Sequence, residues 1–325
     1  MIARGILALT LALLAGTAAA QGDPAKDYPA KPIRVYVGFT AGGGTDFIAR
    51  VIADKMFEGT TGRSIIIENK PGASGIIAAE TTMRAAPDGY SLMFAPAGVM
   101  TVNPAVYTKL SYAPERDFIP ISLTATFPLI LAVNNALPVN NVAELVAWAK
   151  ANPIKANQGG SGQAFQLVAY LFRKQTGAVF EYLQYKSTSE STAALIAGEI
   201  IMSMVDAGPL SGAIKNGLVR GLAVSSPRRM AAFPNLPTMS EQGFKDLDVE
   251  LWAGMFAPAG TPAPIIRKLE AELIRVAALP DVKERLRSHE VEPLGSTGAE
   301  FVRRIAAETE RYTVIARENN IKVTQ

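Results

Sequence analysis

The chain has 325 residues, 49% hydrophobic and 19% charged, with 32 Lys and Arg against 29 Asp and Glu. It contains no cysteine and a single histidine, so disulfides, thiolate metal centres and cysteine-borne lipid anchors are excluded. Its charges alternate in sign, as in Arg267-Lys268-Leu269-Glu270, and no basic stripe is interleaved with aromatics, which argues against nucleic-acid binding.

Arg4, the apolar run 6–15 broken only by Thr10, and Ala18-Ala19-Ala20 have the form of a secretory signal peptide, residues 1–20, with the mature chain starting at Gln21. The run is shorter than the roughly 20 residues of a spanning helix. Removing it leaves 31 basic and 29 acidic side chains, a net charge of +2, on a chain long enough for about two domains.

Short apolar strands then alternate with helices, the pattern of an α/β fold with mostly parallel sheets. Residues 33–37 read as a strand, and Phe47, Ile48, Val51, Ile52 and Met56 follow at helical spacing. Residues 64–68 read as a second strand, followed by a helix carrying Ile76, Ile77, Ala79 and Met83. Asp88-Gly89 marks a turn into a strand over 90–95.

A second unit begins after Ile130-Leu131-Ala132-Val133. Asn141 caps a helix bearing Leu145, Val146 and Trp148; a further helix holds Phe165, Leu167, Val168, Leu171 and Phe172 and is closed by Gly177. Ser187-Thr188-Ser189-Glu190 has capping-box spacing and opens a helix ending near Gly198. Residues 200–205 form a strand that delivers Asp206, with Met202 and Met204 read as packing. Beyond Trp252 come long amphipathic helices, one with Ile265, Ile266, Leu269 and Leu273 and one with Phe301, Ile305, Tyr312 and Ile315. Two lobes joined by two crossings, near 121–133 and 248–258, are the economical arrangement.

Three glycine-rich turns run into helices: Thr40-Ala41-Gly42-Gly43-Gly44-Thr45-Asp46, Lys70-Pro71-Gly72-Ala73-Ser74-Gly75 and Gln158-Gly159-Gly160-Ser161-Gly162-Gln163. Each is a candidate anion cradle, because glycine admits a ligand close to the backbone and first-turn N–H groups carry the positive end of the helix dipole. A valine at Gly43 is expected to close the first cradle. The enzymatic alternative is an exported serine hydrolase built on Ser161, or a serine–lysine pair using Lys186 with Ser187 or Ser161. Against it, Gln163 stands where a nucleophile elbow needs glycine, and His289 sits in a charged helix as a surface residue. Catalytic residues, metal ligands and cofactors are therefore not assigned.

Several strings together resemble the Bug family, the solute receptors of tripartite tricarboxylate transporters. They are Tyr28-Pro29-Ala30-Lys31-Pro32-Ile33-Arg34, Gly42-Gly43-Gly44-Thr45-Asp46, Glu68-Asn69-Lys70-Pro71-Gly72-Ala73-Ser74-Gly75, Ala86-Pro87-Asp88-Gly89-Tyr90-Ser91-Leu92 and Ala257-Pro258-Ala259-Gly260-Thr261-Pro262. Asp117-Phe118-Ile119-Pro120, Ile196-Ala197-Gly198-Glu199 and Pro234-Asn235-Leu236-Pro237-Thr238 extend it in order over the mature chain.

The resemblance implies a two-lobed periplasmic binding protein of the type II fold. Each lobe would be a mostly parallel sheet flanked by helices, with two crossover strands, lobe 1 comprising 28–126 plus 252–325 and lobe 2 comprising 127–251. It implies a periplasmic monomer that captures a small carboxylate, of the dicarboxylate class, and delivers it to the membrane subunits of a tripartite transporter; the departure at Phe165 adds an aromatic carboxylate as a second reading. A carboxylate sensor acting on a signalling system needs the same closing cleft and stays open as an alternative.

Carried over by residue, the implied site is Phe39, Gly42, Gly43, Thr45, Asp46, Ala73, Ser74, Ala97 and Gly98 in the first lobe. In the second lobe it is Ser161, Gly162, Gln163, Lys186, Thr188 and Asp206, with Phe165 added by departure from the pattern. The departures are Gly38-Phe39-Thr40-Ala41 before the first glycines, Phe165-Gln166 where a histidine is common, and Tyr185-Lys186-Ser187 in place of a glycine-ended turn. Phe165 is read either as a cleft aromatic that sets ligand class or as a core residue beside Val168 and Phe172. Asp206 is read either as a cleft carboxylate whose partner is a ligand amine or a water, or as a cap on a neighbouring turn.

Overall fold

A computed structural model describes residues 23, 25–59, 64–247 and 249–323. The signal peptide and the mature start expected at Gln21 lie outside the described residues. No helix among them is long and apolar enough to cross a membrane.

The first half is a run of β1 (Ile33–Val37), α1 (Gly44–Lys55), β2 (Ile65–Asn69), α2 (Ile76–Met83) and β3 (Ser91–Pro96). The three strands pair in parallel in the order β2-β1-β3, as strand–helix–strand crossovers require. On β1, Ile33, Val35 and Val37 pack against Ile48 and Ile52 of α1, so the two-residue period of the strand meets the helical period of α1 on one face.

One crossing is longer than the sequence suggests. β4 (Phe118–Asn134) is one 17-residue strand that extends the crossing expected near 121–133 at both ends. It runs antiparallel to β9 (Glu250–Pro258) from Phe118 opposite Pro258 to Pro128 opposite Glu250. Pro120 is tolerated because the register shifts between it and Ser122, a bulge where no ladder donor is missed. Past Pro128 the strand changes partners, and Leu129 to Asn134 pair with the second half.

That second half holds α3 (Val142–Ala151), β5 (Asn157–Ser161), α4 (Gly162–Thr176), β6 (Glu181–Tyr185), α5 (Thr188–Ala197), β7 (Met202–Asp206), α6 (Ala207–Lys215) and β8 (Val219–Val224). β7, β5 and β6 pair in parallel, while β7 and β8 meet β4 antiparallel. Leu131 and Val133 of β4 face one core with Met202 and Met204, and Ile130 and Ala132 face the other with Val205 and Leu210. The expected packing role of both methionines holds. The chain returns through β9 to α7 (Ala263–Ala278), α8 (Pro280–Arg287), β10 (Glu292–Pro293) and α9 (Gly298–Glu318). Gly254 of β9 has no side chain because the Phe301 ring of α9 occupies that space; an added Cβ would lie 2.5 Å from it.

Expected helix ends are found. Asn141 accepts the Glu144 N–H at 2.8 Å, and Gly177 and Gly198 terminate α4 and α5 in the left-handed region. Thr297, not anticipated from the sequence, forms a complete capping box with Glu300. Ser187 accepts the Glu190 N–H at 3.1 Å, but the Glu190 carboxylate turns to the Lys186 N–H instead of closing the box.

Candidate functional site

The C-terminal ends of β1, β3, β5, β6 and β7 converge on one cavity of about 580 Å³. Strand ends of open α/β sheets are where the chain turns into helices and leaves N–H groups facing a crevice. Here the first residues of α1, α4, α5 and α6 all reach the wall.

From the first half come Phe39, Gly42, Gly43, Thr45, Ser74, Ala97 and Gly98, each an expected site residue. Gly42 is the residue in the left-handed region, at φ +80°, and Gly43 is extended at φ −74°. The conformational need for glycine therefore sits at Gly42, which corrects the weight placed on Gly43. Ser74 is also left-handed, at φ +53°; its carbonyl accepts from the Asn103 amide at 3.1 Å and its hydroxyl from Tyr107 at 3.3 Å. Two partners hold a strained residue at the wall.

Asp46 and Ala73 do not line the cavity. Ala73 is exposed. Asp46 is 2% exposed and braces the first cradle from behind. Its carboxylate accepts from Gly42 N–H at 2.8 Å, Arg50 at 2.9 Å and the Asn69 amide at 2.8 Å. Burial alone would raise this carboxyl, but the three hydrogen bonds outweigh it and hold it below its ordinary value.

The second half contributes Ser161, Gly162, Gln163, Phe165, Lys186, Thr188 and Asp206, all on the wall as expected. The third glycine turn is shorter than it reads in sequence. Gly159 and Gly160 belong to β5, where side chains would strike Ile200 and Tyr185 or Tyr182 and Phe165. Only Ser161 and Gly162 make the turn. Phe165 is half-buried and joins both alternatives, lining the cavity while packing against the cores of the second half. Ala164 faces Gly98 across the cavity, 3.7 Å from where a Gly98 Cβ would stand.

Asp206 is the N-cap residue of α6, yet its side chain makes no capping hydrogen bond. Its partners among the described residues are the Thr188 hydroxyl at 3.5 Å and its own backbone N–H. The capping alternative is thus set aside. Burial outweighs both hydrogen bonds and pushes the carboxyl up to about 6.

Sequence reasoning missed His289, Glu290 and Val291, which line the cavity from the turn after α8. The exposed His289 ring stacks on Phe47, with centroids 4.0 Å apart. No local pattern links two residues so distant in sequence.

A cavity walled by both halves of an α/β molecule, at its strand ends, defines a binding protein of the two-lobed type. The family described as tripartite tricarboxylate transporter family receptor matches residues 48–321. Among solved structures, the periplasmic binding protein BugD is 31% identical, covering 92% of this chain and 100% of its own at a TM-score of 0.80. Rpa4515 of R. palustris, solved with adipate, is 28% identical over 92% of this chain and 100% of its own, with a TM-score of 0.82. MatC of Rhodopseudomonas palustris, solved with malate, is 27% identical over 89% and 99%, with a TM-score of 0.79. The chain belongs to this receptor family, the Bug family, whose members are solute-binding receptors and not enzymes.

Proposed function

We propose that the protein is a periplasmic receptor that captures one small carboxylate per chain and hands it to the membrane subunits of a tripartite tricarboxylate-type transporter. The observation that carries this reading is the meeting of four helix starts at one cavity. First-turn N–H groups have no intrahelical acceptor and carry partial positive charge, so they suit a carboxylate, and charge-assisted hydrogen bonds to them are stronger than neutral ones. Relatives solved with adipate and malate support the same ligand class. The ligand contacts in this reading are the expected site residues that line the cavity, with Asp46 supporting them from outside.

Lobes of 28–126 plus 252–325 and of 127–251 close by hinge motion where β4 and β9 pass between the halves. The receptor acts as a monomer. Among carboxylates, a dicarboxylate is favoured, and an aromatic or long apolar body is the second reading. The rings of Phe39, Phe47, Phe127, Phe165 and His289 on the cavity wall favour that second reading, because such a body gains from stacking and apolar burial.

Thermal-shift screening of aliphatic, hydroxy, amino and aromatic carboxylates against protein stripped of endogenous ligand tests it. Ligand that binds only the folded state raises the melting temperature by mass action. At least one carboxylate is expected to do so, and a panel without a hit contradicts the reading.

A further inference from the structure

The charges around the cavity are unbalanced in a way that selects among carboxylates. Among the described residues no arginine lines it, and the titratable groups that do are Lys186, Asp206, His289 and Glu290. Glu290 is engaged elsewhere, accepting from Ser211 at 2.8 Å and Lys215 at 3.1 Å. Lys186 is exposed. Asp206 therefore stands on the wall with only a long hydrogen bond from Thr188 and its own N–H, although it occupies a position where an aspartate ordinarily caps the helix.

A second acceptor lies in the same half. The amide oxygen of Gln163, in the first turn of α4, is buried without a hydrogen-bond partner. Buried acceptors left unpaired cost free energy, and carboxylates left unpaired cost more. A ligand that is anionic at every polar end would add repulsion at Asp206 and leave both acceptors unpaired. One that brings an N–H or O–H to this end relieves both.

We infer that Asp206, with Thr188 and Gln163, forms an acceptor pole that reads a hydrogen-bond donor on the ligand, so the preferred solute is a carboxylate bearing an ammonium or hydroxyl group rather than a plain mono- or dicarboxylate. This rests on the carboxylate-receptor reading above. The two kinds of group divide the work: helix-start N–H groups take the carboxylate, and the acceptors of the second half take the donor.

Calorimetry with chain-matched sets tests this on the stripped, full exported chain. The sets are succinate, malate and aspartate; adipate, 2-hydroxyadipate and 2-aminoadipate; and 3-phenylpropanoate, 3-phenyllactate and phenylalanine. In the set that binds, the hydroxy or amino member is expected to bind at least about tenfold tighter than the plain acid, the fold-change of one unpaired polar group. In Asp206→Asn the gap should shrink, with the donor-bearing member weakened and the plain acid bound as well or better. Thr188→Val, which removes one member of the pole and keeps the carboxylate, should narrow the gap less than Asp206→Asn does. Equal binding within a set by the unaltered protein, or a preference unchanged in Asp206→Asn, overturns the inference and leaves the carboxylate reading standing. Failure of every acid in all three sets removes that reading and the inference together.

Discussion

Ser211 Oγ donates a 2.8 Å hydrogen bond to the Glu290 carboxylate, joining α6, whose start lines one wall of the cavity, to the turn that lines the other. Lys215, one turn further along α6, adds a 3.1 Å bond to the same oxygen. Glu290 itself is left-handed, at φ +60°, a conformation a residue with a Cβ occupies only when its surroundings hold it. The pair is thus a latch between the two walls of the cavity. Its Ser211 half is buried and carries most of the energy, because the Lys215 ammonium is largely exposed and screened.

Glu290→Gln should weaken the latch by about 1 kcal/mol, the net worth of one buried hydrogen bond, and speed ligand release roughly fivefold. Association should change less than release, since affinity differences among variants of one site fall mostly on the release rate. Stopped-flow dissociation separates the two rates; a release rate equal to that of the unaltered protein contradicts a latch.

Asp46→Ala removes the acceptor for Gly42 N–H, Arg50 and Asn69 at once. A loss of about 1–3 kcal/mol of stability is expected, along with weaker ligand binding, although Asp46 does not line the cavity. Asp46→Asn, which retains an acceptor, should recover part of both. Calorimetry and thermal melts on the two variants check this.

The two buried carboxyls respond to acid in opposite directions. Asp206 has a folded value of about 6 against an ordinary 3.8, so the native state holds its proton more tightly. Its contribution to stability therefore grows as pH falls from about 6 to 3.8 and is constant below that. Asp46 is held below 3.8, so its stabilisation persists at neutral pH and is lost only in stronger acid. Melting temperatures of the empty protein between pH 7 and about 4 should rise relative to Asp206→Asn over the same window. The other titratable groups lining the cavity, Lys186, His289 and Glu290, are common to both proteins.

Gly42→Val should damage binding more than Lys186→Ala. Any Cβ at φ +80° is strained, and correcting the strain moves the N–H groups of the first cradle. Lys186 is an exposed rim charge worth roughly 1 kcal/mol or less. A larger loss for Lys186→Ala in calorimetry would mean that a cation holds the ligand.

Phe165→His places a polar ring at the boundary between cavity and core. A change in ligand ranking with a modest loss of stability is expected, because one side of the ring already faces the cavity. Burial of an unpaired imidazole in a true core site would cost about 1–3 kcal/mol, so a large drop with ranking preserved assigns Phe165 to the core alone.

Much of this was readable in sequence where the cause is local. β1, the Asn141 and Ser187 caps and the terminating Gly177 and Gly198 depend on a few neighbouring residues, and each is found. A crossing near 121–133 was readable, but the full extent of β4 and its change of partner past Pro128 were not, because they depend on pairing with β9 and with the second half. Gly159 and Gly160 read as a loop, yet they are strand residues kept small by Tyr185 and Tyr182. The Phe47–His289 stack and the Glu290 latch are assembled by α8 folding back onto the first half, information no short window contains. Most of the wall was legible as helix starts, and its chemistry of acceptors was legible only once Asp206 was seen to cap nothing.

Native mass spectrometry of the purified protein, followed by fragmentation of whatever small molecule it releases, identifies the bound solute. One carboxylate per chain is expected, released on denaturation, whose binding to the stripped protein is weakened by Gly42→Val. Recovery of the protein with a solute that has no carboxyl group, or binding indifferent to Gly42→Val, would contradict that expectation.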